Sequence, residues 1–447
     1  MFKIGGMRGF PTCSTGVTCA AALTLLPAVL NMPSAAAAPA DRTTTALSGS
    51  TQSLPLTPRT RERVLGQAAE RGAFSTDVRH FSLVGVIWDK PGTELLGQVR
   101  VRTRSAATGR WSGWQDIDTH NADHGADPGT AEAASGRVRG ATAPLWVGDS
   151  DGVDVRVRTK AGPGPGVGRD LLPAGLRLEL VDPGDEAPSE GPPGDSPRTD
   201  TEADAAASVN ADLVSFAATE IPALSREDTE RELRELGGTG ASLAKPYIGP
   251  RPRIVTRRGW GADESLREKG FVYTGKIKAA FVHHTDSGNG YRCSEAPSVI
   301  RSIYRYHVVS MGWRDIGYNF LVDKCGTIYE GRAGGAAKAV RGAHTLGFNN
   351  NSVGIAVIGK FGSHKPPAAA VTALAKLTAW KLGLFGANPK GKTYLKSGGG
   401  NLYPKGKNVR LNVISGHRDG YATECPGAKL YAKLGSARTS SAHLQGR

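Results

Sequence analysis

Three histidines and a cysteine are the residues whose types and spacing suit chemistry in this sequence. His283 and His284 close an apolar run that starts at Ile277. His417 follows a second apolar run, Leu411 to Ile414, and Cys425 comes eight residues later in the loop Arg418 to Pro426. Strand ends and the loops after them are where binding groups commonly sit. Two imidazoles and one thiolate make a set of three metal ligands. A structural zinc takes four protein ligands, whereas three leave a position open for water, which ionises on zinc at about pH 7. A histidine at a buried strand end is also an ordinary structural residue, so the spacing alone leaves both readings open.

Five cysteines occur, at positions 13, 19, 293, 325 and 425. Lys3 and Arg8 precede the apolar stretch Ala20 to Leu30, and the small-residue run Ser34 to Ala40 follows. That order predicts a secretory signal peptide over residues 1–40, too short in its apolar part to span a bilayer permanently. Its removal takes Cys13 and Cys19 with it. Three cysteines then remain in an oxidising compartment, an odd number that asks for a use. Two can pair and one can bind a metal.

The elements that must position these groups read as a mixed α/β unit over residues 253–434. Ile277 to His283, Tyr318 to Val322, Thr327 to Tyr329, Ser352 to Ile358 and Leu411 to Ile414 read as strands. Pro297 to Met311 reads as a helix with proline in its first turn, and Pro367 to Leu384 as another. Before this unit, residues 74–181 alternate apolar and basic positions, as in Gln98 to Arg104 and Asp154 to Lys160, which predicts a β-sandwich. Trp111, Trp114 and Trp146 are sugar-stacking platforms or, more simply, core and edge aromatics. Residues 41–73 read as a polar lead-in, 182–252 as an acidic Pro/Gly-rich linker with a short helix from Ser225 to Leu236, and 435–447 as a tail.

The chain has 447 residues, of which 39% are hydrophobic, with 59 glycines and 27 prolines. That apolar share excludes one continuous core and a multi-span membrane protein. The net charge is +15. From residue 253 onward 30 basic residues face 10 acidic ones, a balance of +20, so everything before it carries −5. Such a domain seeks an anionic partner. Secretion and the lack of an aromatic-interleaved basic motif count against nucleic acid and leave an anionic membrane or an acidic polymer such as a bacterial wall.

Ordered blocks of this unit resemble the peptidoglycan recognition protein family, the type 2 N-acetylmuramoyl-L-alanine amidases, in their secreted actinobacterial form. The blocks are Arg258 to Ala262, Phe281 to Thr285, Gly312 to Val322, Gly326 to Arg332, Gly342 to His344, Asn349 to Ile355, Gly416 to Asp419 and Glu424 to Gly427. The resemblance implies an α/β zinc amidase domain, a mixed central sheet with flanking helices, behind the β-sandwich-like domain and acidic linker. It implies zinc on His283, His417 and Cys425, with His284 a neighbour rather than a ligand. Tyr318 matches the tyrosine facing the zinc water, and Thr423 a position held by Lys or Thr in active members. Recognition-only relatives typically replace the cysteine ligand, so Cys425 points to an enzyme, with a non-catalytic peptidoglycan-binding protein as the alternative. Trp313, Arg332, His344 and Asn349 match positions that line or support the substrate groove, where Arg332 would meet a stem-peptide carboxylate. Cys293 and Cys325 match a disulfide pair. Some animal relatives carry a Gly-Trp pair after the Glu-Gly-Arg block, and Ala333-Gly334-Gly335 stands there instead, so no third-residue specificity carries over. The expected protein is a secreted monomeric zinc amidase acting on peptidoglycan in the extracellular space or wall, with no nucleic-acid partner and no permanent membrane span.

Overall fold

The computed structural model describes residues 49–58, 70–159, 172–184, 201–235, 237 and 246–447. The signal-peptide reading over 1–40 and the start of the polar lead-in lie outside the described residues. No helix among the described residues is long and apolar enough to cross a membrane.

The alternating segments form an antiparallel nine-stranded β assembly. Its spine is the long strand Leu145–Thr159, which pairs early with Phe81–Trp88 and later lies between Glu70–Ser75 and Gly97–Ser105. On Gly97–Ser105, Val99, Val101 and Thr103 point inward and are buried, while Arg100, Arg102 and Arg104 are not. This is the period-two pattern of a strand with one face on a core. That core is built from Val84, Val86, Trp88, Val99, Val101, Val155, Leu178 and their neighbours. Trp111 and Trp114 are edge aromatics rather than core: Trp111 stacks on Phe74 at 5.7 Å, and Arg102 and Arg156 lie over Trp114 at 5.1 and 4.5 Å. Trp146 instead meets the second half of the molecule, where its N–H donates to the Ser287 carbonyl.

The C-terminal sheet has seven strands in the order 220–221, 254–255, 328–330, 320–322, 352–357, 279–284 and 414–416. Ala279–His284 runs parallel to both of its neighbours, Ser352–Val357 and Ile414–Gly416. Phe320–Val322 and Ile328–Glu330 form an antiparallel hairpin, so the sheet is mixed. The central strands AAFVHH and SVGIAV are buried at every position, as strands covered on both faces must be. The helix Ala368–Gly383 covers one face with Leu374, Leu377 and Trp380. The helix Ala296–Arg305 presents Val299, Ile300, Ile303 and Tyr304 to a second core and then widens into a π-helical turn, Tyr306–Ser310.

That second core is shared between the two halves. Leu83, Ile87, Ala141 and Val181 of the β domain join Trp260, Ile300, Ile303 and Tyr306. The Tyr306 hydroxyl donates to the Thr142 carbonyl at 3.1 Å, and a Cβ placed on Gly85 would lie 2.3 Å from its oxygen. Only glycine lets the strand approach so closely.

The segment read as an acidic spacer adds structure to the C-terminal half. It carries the helices Thr201–Ser208 and Arg226–Glu235 and the edge strand Glu220–Ile221. Ile221 and Leu233 enter the core beneath it, and Glu202 pairs with Arg267. Ser225 caps the second helix, accepting from the Asp228 N–H at 3.1 Å. The stretch read as a tail is the helix Leu434–Leu444, whose Ala437 and Ala442 are buried and whose Ser441 meets Thr378. Small residues let it lie close to the helix Ala368–Gly383. Cys293 and Cys325 are joined as a disulfide, 32 residues apart in sequence. Replacing both by alanine is expected to lower stability by about 3–4 kcal/mol through loop entropy, read as a shift in the denaturant midpoint.

Candidate metal centre

Strand geometry sets the first candidate ligand. Neighbouring side chains on a strand point to opposite faces, so His283 and His284 part company. His284 turns its Nδ1 to the Phe361 N–H at 3.3 Å. His283 Nδ1 lies 3.7 Å from Cys425 Sγ. Its Nε2 faces His344 Nδ1 at 3.2 Å and Thr345 Oγ1 at 3.3 Å. His344 in turn lies flat on the next strand: a Cβ on Gly354 would come within 2.3 Å of its ring.

The second candidate ligand comes from the end of Ile414–Gly416. The residues His417–Asp419 form a short 3-10 turn. Asp419 folds back to accept from the Gly416 N–H at 2.9 Å and takes a second bond from the Tyr431 hydroxyl at 2.6 Å. The Arg418 N–H donates to the Cys425 carbonyl at 3.0 Å, which draws the loop back toward the turn. His283 and His417 bring their rings to 4.5 Å.

A fourth candidate ligand comes from the β domain, and sequence reasoning missed it. His124 stands with His283, His417 and Cys425, all four donor atoms within 4.8 Å of one another. The Nε2 atoms of His124 and His417 are buried without a hydrogen-bond partner. Orphaned buried donors of this kind call for an explanation, and a metal is a direct one. Tetrahedral zinc with one nitrogen and one sulfur ligand spaces them by about 3.5 Å, close to the Cys425–His283 separation. The set therefore fits a zinc-like ion. Burial above all holds His417 neutral, pushing it down to about 3, and pushes His283 well below its ordinary value. Burial, with Asp123 adding to it, drives the Cys425 thiol well up. Both imidazoles are ready to bind, whereas the thiol must lose its proton to the incoming ion.

The other predicted residues surround this cluster. Tyr318 is buried, its ring 5.5 Å from His283. The π-helical turn places His307 against Trp313 at 4.5 Å and Tyr318 at 5.8 Å. Thr423 Oγ1 accepts from the Cys425 N–H at 3.2 Å, and Asp123 Oδ1 lies 2.9 Å from His124 Nδ1. Two predicted groove residues are engaged by the β domain. Arg332 forms a two-pronged pair with Glu132, both contacts at 2.9 Å. Asn349 donates to the Gly125 carbonyl and to Asp127 Oδ1, at 2.8 and 2.6 Å. His344 stands behind His283 rather than on an open wall. The run Asn121 to Asp127, which reads NADHGAD, was the available sequence signal: it clusters a histidine with acidic residues and glycine inside a strand-rich domain.

Comparison with known proteins adds independent findings. A family profile described as N-acetylmuramoyl-L-alanine amidase matches residues 273–428. A second, described as Rv3811 N-terminal galactose-binding domain-like, matches residues 35–193. Peptidoglycan-recognition protein 1 of Holotrichia diomphalia is 31% identical over 187 residues, covering 41% of this chain and 79% of that protein. Peptidoglycan-recognition protein SC2 of Drosophila simulans is 29% identical over 183 residues, covering 40% and 84%. The solved structure of Drosophila PGRP-LB is 28% identical, with a TM-score of 0.33 over 41% of this chain and 92% of that one.

Proposed function

Because this chain belongs to the family of peptidoglycan recognition proteins and type 2 amidases, we propose that it is a secreted, zinc-dependent N-acetylmuramoyl-L-alanine amidase. Its substrate is the amide between N-acetylmuramic acid and L-alanine of the stem peptide. The family assignment carries a peptidoglycan-directed amidase or binding role, and the proposal is the catalytic form of it. The observation that carries it is the buried His283, His417 and Cys425 set with an unpartnered imidazole nitrogen beside Tyr318.

Bound zinc would supply an acidified water and a Lewis acid for the amide carbonyl. His283, His417 and Cys425 would hold the ion, and His344 and Thr345 would fix the His283 ring through its far nitrogen. Burial drives the Tyr318 phenol well above its ordinary value, so it stays protonated and can donate to an attacking water or a developing oxyanion. Thr423 would offer a second hydroxyl to that oxygen. The basic surface of residues 253–447 would draw in an anionic wall polymer.

The test is mass spectrometry of purified peptidoglycan after long digestion with the zinc-loaded full chain. Free stem peptides beside intact glycan are expected. Complete chelation should abolish the release and zinc should restore it. Release that survives metal removal would sink the zinc reading, and tight wall binding with no release would establish the recognition-only alternative.

A further inference from the structure

The loop over residues 118–139 leaves the β domain and returns to it. Its ends are held: the Ala143 N–H bonds to the Asp118 carbonyl at 2.9 Å, and the Arg139 N–H to the Met311 carbonyl at 3.0 Å. Between those ends it makes a row of contacts with the amidase half. His124 stands in the metal cluster, its ring 4.6 Å from His417 and edge-on to Tyr318 at 5.9 Å. Asp123 Oδ1 lies 2.9 Å from His124 Nδ1, and its backbone carbonyl takes the Leu346 N–H at 3.0 Å. Asp127 accepts from the Gly347 N–H at 2.8 Å and from Asn349. Glu132 holds Arg332 at both prongs and also takes the Arg314 N–H at 3.2 Å.

Each of these contacts uses a group that a bound peptide would need. Arg332 is 5% exposed and Asn349 1%, so both are buried under the loop that engages them. An arginine fork is matched to a carboxylate whatever chain supplies it. Backbone N–H groups such as those of Leu346 and Gly347 likewise donate to a peptide carbonyl or a carboxylate. The loop thus offers two carboxylates and two backbone carbonyls to a domain that carries +20, the same chemistry as an anionic peptide. A fourth protein ligand also changes the metal site, since a four-ligand zinc is closed and a three-ligand zinc is open.

We propose that loop 118–139 is an internal occupant of the groove: His124 completes the metal site as its fourth ligand, and Glu132 and Asp127 take the places of a bound peptide's acceptors on Arg332 and Asn349. The folded chain is then a closed form, and catalysis requires the loop to lift. This inference rests on the amidase reading of the same site. The shared core of Leu83, Ile87, Ala141 and Val181 with Ile300, Ile303 and Tyr306 ties the β domain down beside the groove. Opening is therefore a local movement of the loop rather than a parting of domains. A site that is competent only in a minor state binds with an affinity reduced by that state's population.

The test compares the full chain with His124→Ala and with the double variant Asp127→Asn/Glu132→Gln, which leaves all metal ligands in place. Thermal melts check that each folds. Cobalt replaces zinc, and its visible spectrum is followed as azide is added. The wild-type spectrum is expected to resist azide, and the His124→Ala spectrum to shift at concentrations at least 10-fold lower. Hydrogen exchange over residues 118–139 should be slow in the wild type and faster in the double variant, with or without metal. Stem-peptide release should rise at least 10-fold in both variants. Equal azide response in wild type and His124→Ala, or fast exchange of the loop in the wild type, overturns the closed form. If no variant binds cobalt or releases peptide, the amidase reading fails, while slow loop exchange in the wild type that the double variant relieves still supports an occupied groove.

Discussion

Cys425→Ser is expected to reduce stem-peptide release by more than about 100-fold while leaving the fold in place. The magnitude follows from the role proposed for the thiolate. Partners one bond removed from a metal ligand are already worth about 10–100-fold in affinity or activity, so losing a ligand itself should exceed that range. Cys425 is buried and free, and serine is nearly isosteric with it. Its backbone carbonyl, which accepts the Arg418 N–H, and its own N–H, which meets Thr423, are untouched by the change. The fold therefore has no reason to follow the activity. The comparison is best made in a His124→Ala background, where release is expected to be faster, with metal content measured beside it. A variant that keeps its zinc and its release would remove Cys425 from the site. One that loses both with an unchanged melting temperature would place the thiolate on the ion.

The ligand set of this site was legible in the sequence in part. Strands with a clean period read well, and the end of Ala279–His284 puts His283 where an apolar run followed by two histidines says it should be. The run Ser352 to Ile358 is likewise found as the strand Ser352–Val357. The run Leu411 to Ile414 was less simple. It divides between Asn408–Asn412, half of a separate two-stranded sheet, and Ile414–Gly416, the edge strand of the seven-stranded sheet, because the chain changes partners at Val413. Such a break leaves no mark on periodicity.

What the sequence hid comes from distance along the chain. Arg332 announces a carboxylate partner by its type, but nothing in the sequence says that the partner is Glu132, 200 residues earlier. His124 lies in a loop with neither helical nor strand periodicity, so only the folded chain brings it to His417. Polar composition makes residues 182–252 read as a linker holding only the short helix from Ser225 to Leu236, which the structure has as Arg226–Glu235. Three apolar anchors, Leu213, Ile221 and Leu233, are enough to fix the segment 201–235 when the surface they meet is already formed. Average composition cannot register three well-placed side chains.

Arg257→Ala is expected to cost about 3–5 kcal/mol of stability, the usual result of stripping one member from a buried ion network. The Arg257 guanidinium is 2% exposed and bonds to Glu264 at 2.7 Å and Asp315 at 3.2 Å. It also lies over the rings of Trp260 and Tyr304, 5.2 and 5.0 Å from their centroids. Removing it leaves two carboxylates facing each other in a low-dielectric interior, with Arg267 as the cation still paired to Glu264. Asp315 also accepts from the N–H groups of Ile316 and Ala333, so its displacement would reach the segment that carries Tyr318 and the loop that carries Arg332. The loss should therefore appear twice, as a lower denaturant midpoint and as weaker engagement of loop 118–139 through Arg332. Because the cost comes from uncompensated charge rather than lost volume, the double change Arg257→Met/Asp315→Asn, which leaves Glu264 paired with Arg267, should recover a large part of it. An Arg257→Ala midpoint within about 0.5 kcal/mol of the wild type, the range of an ordinary surface substitution, would mean that the network contributes no net stability.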